Sequence, residues 1–175
     1  MDKILAKKIN RMARNDQRMR KSFEKTDVWN AHIDKKNTAE LKKIIKQYGW
    51  PTIPLVGKKA SFNAWLIAQH ADHDRNFQEN VLRLLTKIDK KQKEAIDRTR
   101  IAYLTDRLLV AKKKPQVFGT QFYFDKNRKL KLYPPKKGHG SSINALRKEY
   151  GLPTLEFHLK EAKKYNASKK NSASR

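Results

Sequence analysis

Between Ser61 and Asp89 apolar residues recur at helical spacing, and the centre of that apolar face carries two histidines. Phe62, Leu66, Phe77, Val81, Leu84 and Ile88 mark the stripe, and His70 and His73 complete its rhythm. A continuous helix over 61–89, capped by Ser61, would put both imidazoles where a core belongs. Asp74 falls near the same face and Asp72 on the far side. Buried polar groups must be paired, so such a helix either hides a satisfied hydrogen-bond network or lines a site.

The same anomaly recurs on two more predicted helices. In the first, Leu5, Ile9, Met12, Met19 and Phe23 form a stripe whose missing step is Asp16; in the fourth, Ile96, Thr99, Tyr103 and Val110 share a face with Asp106. Acidic side chains are scarce, 17 against 42 basic ones, so two of them on apolar stripes is a poor match to chance. Asp16, His70, His73 and Asp106 are therefore candidates for one inward-facing polar cluster.

Charge bounds the partners. The net charge is +25 over 175 residues, distributed as +10 in residues 1–60, −1 in 61–89 and +16 in 90–175. A nearly neutral histidine-bearing helix is thus expected inside a cationic exterior, which attracts polyanions, nucleic acid before anionic membrane. A Lys-rich surface can also serve solubility alone. The absence of cysteine excludes disulfide scaffolds, thiol nucleophiles, zinc ribbons and iron–sulfur ligation. MDKILAKKINRMAR lacks the apolar core of a signal peptide and no run reaches membrane-spanning length, so the expectation is a cytoplasmic protein with no membrane partner.

The organisation reads as mainly α (α+β), a single helical domain over residues 1–165 built around the long central helix, with a basic disordered tail over 166–175. Helix 1 is expected near 2–24 and a second near 38–48, stopped by Gly49-Trp50-Pro51; Tyr150-Gly151-Leu152-Pro153 uses the same stop chemistry. A fourth helix covers about 91–112 before the break at Lys112-Lys113-Lys114-Pro115. Over 116–133 the period changes from 3.6 to 2, with a turn at Asp125-Lys126-Asn127-Arg128, which predicts an antiparallel hairpin. Two short helices follow, near 142–150 and 154–165.

One face of the hairpin offers Tyr123, Lys129, Lys131 and Tyr133 together, suited to stacking on bases while neutralising phosphate. Lys112, Lys113 and Lys114 before it, and Lys136 and Lys137 in the PPKKGHGSS loop after it, complete the candidate nucleic-acid contacts. The alternative for all of them is an ordinary solvated surface.

GWP (49–51), AWLIAQHADHD (64–74), AYLTDR (102–107) and PQVFGTQ (115–121), preceded by a helix carrying Asp16-Gln17 and Arg20, resemble the blocks of a bacterial family of unknown function. The resemblance covers roughly residues 10–121 and 143–155. It implies that the polar residues picked out by periodicity belong to that family's signature, and it carries no established activity. Other members are less basic and some look exported, which points to a different cellular role for this chain.

Three kinds of chemistry fit the cluster. Two histidines three apart with Asp16, Asp74 or Asp106 nearby can hold a divalent metal, although the spacing lacks the glutamate base of HExxH. Without a cofactor, a His oriented by Asp and a neighbouring His can exchange protons as general base and acid, with Arg107 or Arg20 on a phosphate and Gln121 alongside. A purely structural network would add Gln69, Tyr103 and Gln121 as partners. Two functions are expected on these grounds: a nucleic-acid-binding protein directed at RNA more than DNA, or a phosphoester hydrolase, nuclease-like, using His70 and His73 with Asp16 and Asp106. Whether the chain is an enzyme stays open at this point.

Overall fold

Among the residues described by the computed structural model, 1–127, 129–135 and 140–173, the chain forms seven α-helices and one two-stranded antiparallel sheet. The mainly α class with a hairpin therefore holds. The chain divides into two compact units, Met1–Arg100 and Ile101–Arg175, where the sequence predicts a single domain.

In the first unit, α1 (Lys3–Thr26) starts at Asp2, whose side chain accepts the Leu5 N–H at 2.9 Å, and ends at Asp27 in the left-handed conformation, φ 54°. Leu5, Ile9, Met12 and Met19 are buried as the stripe predicts, and Asp16 is buried with them. Helix α2 (Ala31–Tyr48), capped by Asn30, begins seven residues before the expected start and stops at Gly49, where φ is 73° and a side chain would be strained. Trp50 folds inward behind it, 3% exposed, and Pro51 prevents continuation.

The long central helix is not one helix. Helix α3 (Ile53–Gln69) starts after Thr52 with Pro54 in its first turn, kinks at Gly57 (φ 80°), and buries Ser61 inside it, so Ser61 is not a cap. Ala60, Ala64 and Ala68 line one almost fully buried face, and such small side chains let α1, the main partner of α3, approach closely. After Gln69 the chain turns, and α4 (Arg75–Lys91) starts anew from Asp74, whose carboxylate accepts the Phe77 N–H at 3.0 Å. Aspartate competes well for this capping role and poorly for a helix interior, which is why ADHD breaks the pattern. Gln78 seals the break: fully buried, it donates from Nε2 to the carbonyls of Ala68 at 3.2 Å and Gln69 at 2.9 Å, groups a helix end would leave unsatisfied. A short 3-10 turn, Lys93–Ala95, closes the unit's last connection.

The second unit is entered along α5 (Thr99–Ala111). Strands β1 (Phe122–Phe124) and β2 (Leu130–Leu132) pair antiparallel with Tyr123 opposite Lys131. They are shorter than the predicted 116–133 hairpin because 115–121 forms a tight loop instead. Helix α6 (Gly140–Glu149) ends before Gly151, at φ 74°, as the stop chemistry predicts, and α7 (Leu155–Ala173) follows. That helix continues through most of the segment expected to be a disordered tail. The core gathers Ala102, Phe118 and Leu152 with Tyr103, Leu146 and Tyr150 packed on them, Phe118 and Tyr150 meeting edge to face at 4.8 Å.

Candidate functional site

Breaking the helix after Gln69 moves the histidines from a helical face to a corner. His70 ends α3 and His73 lies in the turn, so the two line one side of a cavity of about 200 Å³. The other side comes from α1, the connection after it and the start of α2: Arg20, Trp29, Asp34 and Lys35. His70 is largely buried and His73 is exposed.

Behind His70 sits Asp16, 1% exposed, with both carboxylate oxygens 3.0 Å from His70 Nδ1. Gln17 Nε2 donates to one of those oxygens at 2.7 Å. Arg20 donates from Nε to both, at 3.2 and 3.3 Å, and its terminal nitrogen bridges Asp16 at 3.1 Å and Asp34 at 2.9 Å. The Arg20 guanidinium also stacks over Trp29, 4.9 Å from the ring centroid, and Trp29 is braced edge to face by Phe23.

The two carboxylates are driven apart. Burial by itself would raise Asp16, yet the hydrogen bond and positive field of His70, together with those of Arg20, outweigh it and hold the group at about 2. For Asp34 burial wins: its carboxyl is raised above the ordinary value, Arg20 offsetting only part and the neighbouring Asp16 charge adding to the rise. Paired carboxyls pushed in opposite directions are a recurrent sign of divided acid and base roles.

Asp16 settles the tautomer of His70. Arg20 Nε lies 3.0 Å from His70 Nδ1, close enough to donate, but the carboxylate beside it can only accept. A carboxyl held near 2 carries no proton at neutral pH, so Nδ1–H donates to Asp16, Arg20 Nε–H is satisfied by the same carboxylate, and the lone pair of His70 is on Nε2. An aspartate that fixes a histidine in this way leaves it with one defined basic nitrogen.

The remaining expected site residues lie elsewhere. Asp106, fully buried in the second unit, accepts the backbone N–H groups of Val117 at 2.7 Å, Phe118 at 3.0 Å and Thr120 at 2.9 Å, plus the Thr120 hydroxyl at 2.9 Å. Its oxygens are committed to the PQVFGTQ loop, so the expected cluster with Asp16 and the histidines gives way to a structural role. Gln121 serves the same loop, donating to Thr120 Oγ1 at 3.1 Å, while the buried Gln116 receives the Gln121 N–H at 2.9 Å. Arg107 is half-buried on the helix that carries Asp106. Asp74 is held below the usual carboxylate range by Lys42, 2.5 Å away, and by its capping bond to Phe77. Arg20, expected as a phosphate holder, is tied to two carboxylates. Among the described residues no group of three or more His, Asp or Glu side chains converges as metal ligands would.

Asp34 was missed by the sequence reading, though its signal existed. It stands four before Thr38 and seven before Leu41, both buried on α2, but a helix expected to start at 38 leaves it in a polar lead-in.

Of the candidate nucleic-acid contacts, Tyr123 and Tyr133 lie side by side, ring centroids 4.8 Å apart, with Lys131 in register opposite Tyr123. Lys129 and Lys131 also border an open groove of about 470 Å³ with Leu159 and Lys163 of α7. Lys112, Lys113 and Lys114 are exposed at the end of α5, where cations complement the helix dipole. Lys136 and Lys137 fall outside the described residues.

The chain belongs to a family of unknown function, DUF6624, whose model matches residues 6–168. No curated protein and no solved structure matches it.

Proposed function

We propose that this member of DUF6624 is an RNA-binding protein that holds single strands on the hairpin of its second unit. The observation that carries the reading is the Tyr123–Tyr133 pair, Tyr123 exposed and Tyr133 half-buried behind it, with Lys131 beside it: a solvent-facing aromatic accepts unstacked bases while ammonium groups neutralise the adjoining phosphates. Lys129 and Lys163 extend the cationic track along the neighbouring groove. Among residues 101–175, 18 basic side chains stand against 5 acidic ones, which supplies the sequence-independent attraction. Stacking on splayed bases favours RNA loops and single strands over duplex DNA.

A labelled single-stranded RNA and a duplex DNA of equal length, titrated across a salt series, test this directly. The expected result is tighter binding of the RNA, weakening steeply with salt, and a loss of about 1–3 kcal/mol in Tyr123→Ala. Equal binding of both nucleic acids with no effect of Tyr123→Ala contradicts it.

A second reading is supported by the first unit's own geometry. His70, oriented by Asp16, can take a proton from water at Nε2 as the water oxygen attacks a phosphoester, and the neighbouring His73, on the same cavity wall, can give one to the leaving oxygen. With Arg20 committed, Lys35 remains on the cavity wall to meet the phosphate. Scoring the same RNA samples for cleavage, in the wild type and in His70→Ala, decides this reading: product that vanishes in the variant supports hydrolysis, and intact RNA in both removes it.

A further inference from the structure

A second cavity in the first unit, about 490 Å³, shares no residue with the one beside His70. Its volume falls within the roughly 300–1,000 Å³ typical of small-molecule sites. Trp50, Phe62, Trp65, Leu85 and Ile96 give it apolar and aromatic walls. Phe62 and Trp65 pack with ring centroids 5.7 Å apart, and the Arg100 guanidinium covers both, 4.6 and 4.7 Å from their centres.

Three features of the rim favour an anion. Arg100 is bound by Asp97 at 2.8 Å, yet its Nε is buried with no hydrogen-bond partner, a donor that a core would rarely leave open. Lys58 and Lys59 are exposed on the same cavity and have no carboxylate partner among the described residues. Asp97 is the one acidic side chain on a lining that holds three cations. Phe62 keeps 38% of its surface exposed beside them, a large apolar face left for something flat to cover.

We propose that this cavity binds a planar heteroaromatic anion of the nucleoside monophosphate class, the ring against Phe62 and the Arg100 guanidinium that Trp65 backs, the phosphate on Lys58 and Lys59. The inference stands without the RNA reading, since no hairpin residue takes part.

Tryptophan fluorescence isolates the site. In the Trp29→Phe protein both remaining indoles, Trp50 and Trp65, line this cavity. Adenosine monophosphate is expected to quench them saturably, adenosine to bind about tenfold more weakly, and inorganic phosphate to compete poorly. Lys58→Gln/Lys59→Gln, two exposed changes that leave the packing alone, should weaken the nucleotide about tenfold and leave adenosine unchanged. Absence of quenching at millimolar nucleotide, unchanged affinity in the double variant, or phosphate competing as well as the nucleotide each overturns the proposal; the last would reduce the site to a patch of cationic surface. Arg100→Gln serves as a second variant, its fold checked by circular dichroism, and should abolish the ring contribution seen with adenosine.

Discussion

Asp16 in the first unit and Asp106 in the second are both fully buried acids on apolar helical stripes, yet their partners differ in kind. Asp106 is satisfied by backbone N–H groups of one loop, and that loop is gripped again by Arg147, itself fully buried, which donates to the carbonyls of Phe118, Gly119 and Pro153. Burial destabilises Arg147 in its charged form and lowers its pKa, an effect that the nearby Tyr103, Asp106 and Glu156 offset only in part. Both charges are there to fix the path of 116–121, where Gly119 at φ 69° is required: a side chain would run into Leu155 at 2.8 Å. Asp16 instead is satisfied by side chains, His70, Arg20 and Gln17, the first two of which border an open cavity. Backbone-satisfied charge specifies a shape, whereas charges that satisfy one another beside solvent can exchange protons.

The largest effect that tests this contrast is expected from Asp106→Ala. Leaving three amide donors unpaired should cost about 3–5 kcal/mol in urea unfolding and strip hydrogen-exchange protection from Val117, Phe118 and Thr120. If stability is unchanged, Asp106 is not the structural residue its contacts indicate.

Asp16→Asn should cost less, and its cost should depend on pH. The folded pKa is lowered from 3.8 to about 2, so the carboxylate adds stability that is fully present above the unfolded value and is lost as pH falls toward 2. That difference corresponds to about 2 kcal/mol at pH 7, and wild type and variant should converge near pH 2. Asp34 has the opposite sign: raised above 3.8, it costs stability at neutral pH and ceases to do so as acid protonates it. Asp34→Asn should therefore shift stability at pH 7 by less than Asp16→Asn does, despite sharing Arg20. Parallel denaturant melts at pH 7 and pH 3 compare the two.

The smallest predicted effect belongs to the surface. Lys131→Gln should leave stability within about 0.5 kcal/mol and reduce the slope of log affinity for RNA against log salt by about 1.

What the sequence disclosed follows the same division. Helical periodicity located Asp16, His70 and Asp106 as buried polar groups, because burial on a stripe depends only on spacing. It could not tell which of them meet, because a carboxylate on a stripe looks the same whether it faces a histidine or a loop of amides. His73 and Asp74 were read on a helix that local capping chemistry interrupts: Asp74 accepts the Phe77 N–H and Gln78 closes the preceding end, contacts that a 3.6-residue rhythm does not register. The hairpin's alternation placed Tyr123, Lys131 and Tyr133 on one face correctly, since register follows from the turn. Arg147 was invisible, for nothing local marks an arginine that will spend its donors on carbonyls about thirty residues away in the chain.

The claim that the first unit holds a proton-handling site rests on the tautomer of His70, and long-range ¹H–¹⁵N NMR of the imidazole reads it directly. At a pH where the ring is neutral, the proton should reside on Nδ1, facing Asp16, with Nε2 showing the signature of a free lone pair, and Asp16→Asn should erase that preference. A proton found on Nε2, with Nδ1 accepting from Arg20 instead, would contradict the account and make the Asp16–Arg20–Asp34 group a structural network like that of the second unit.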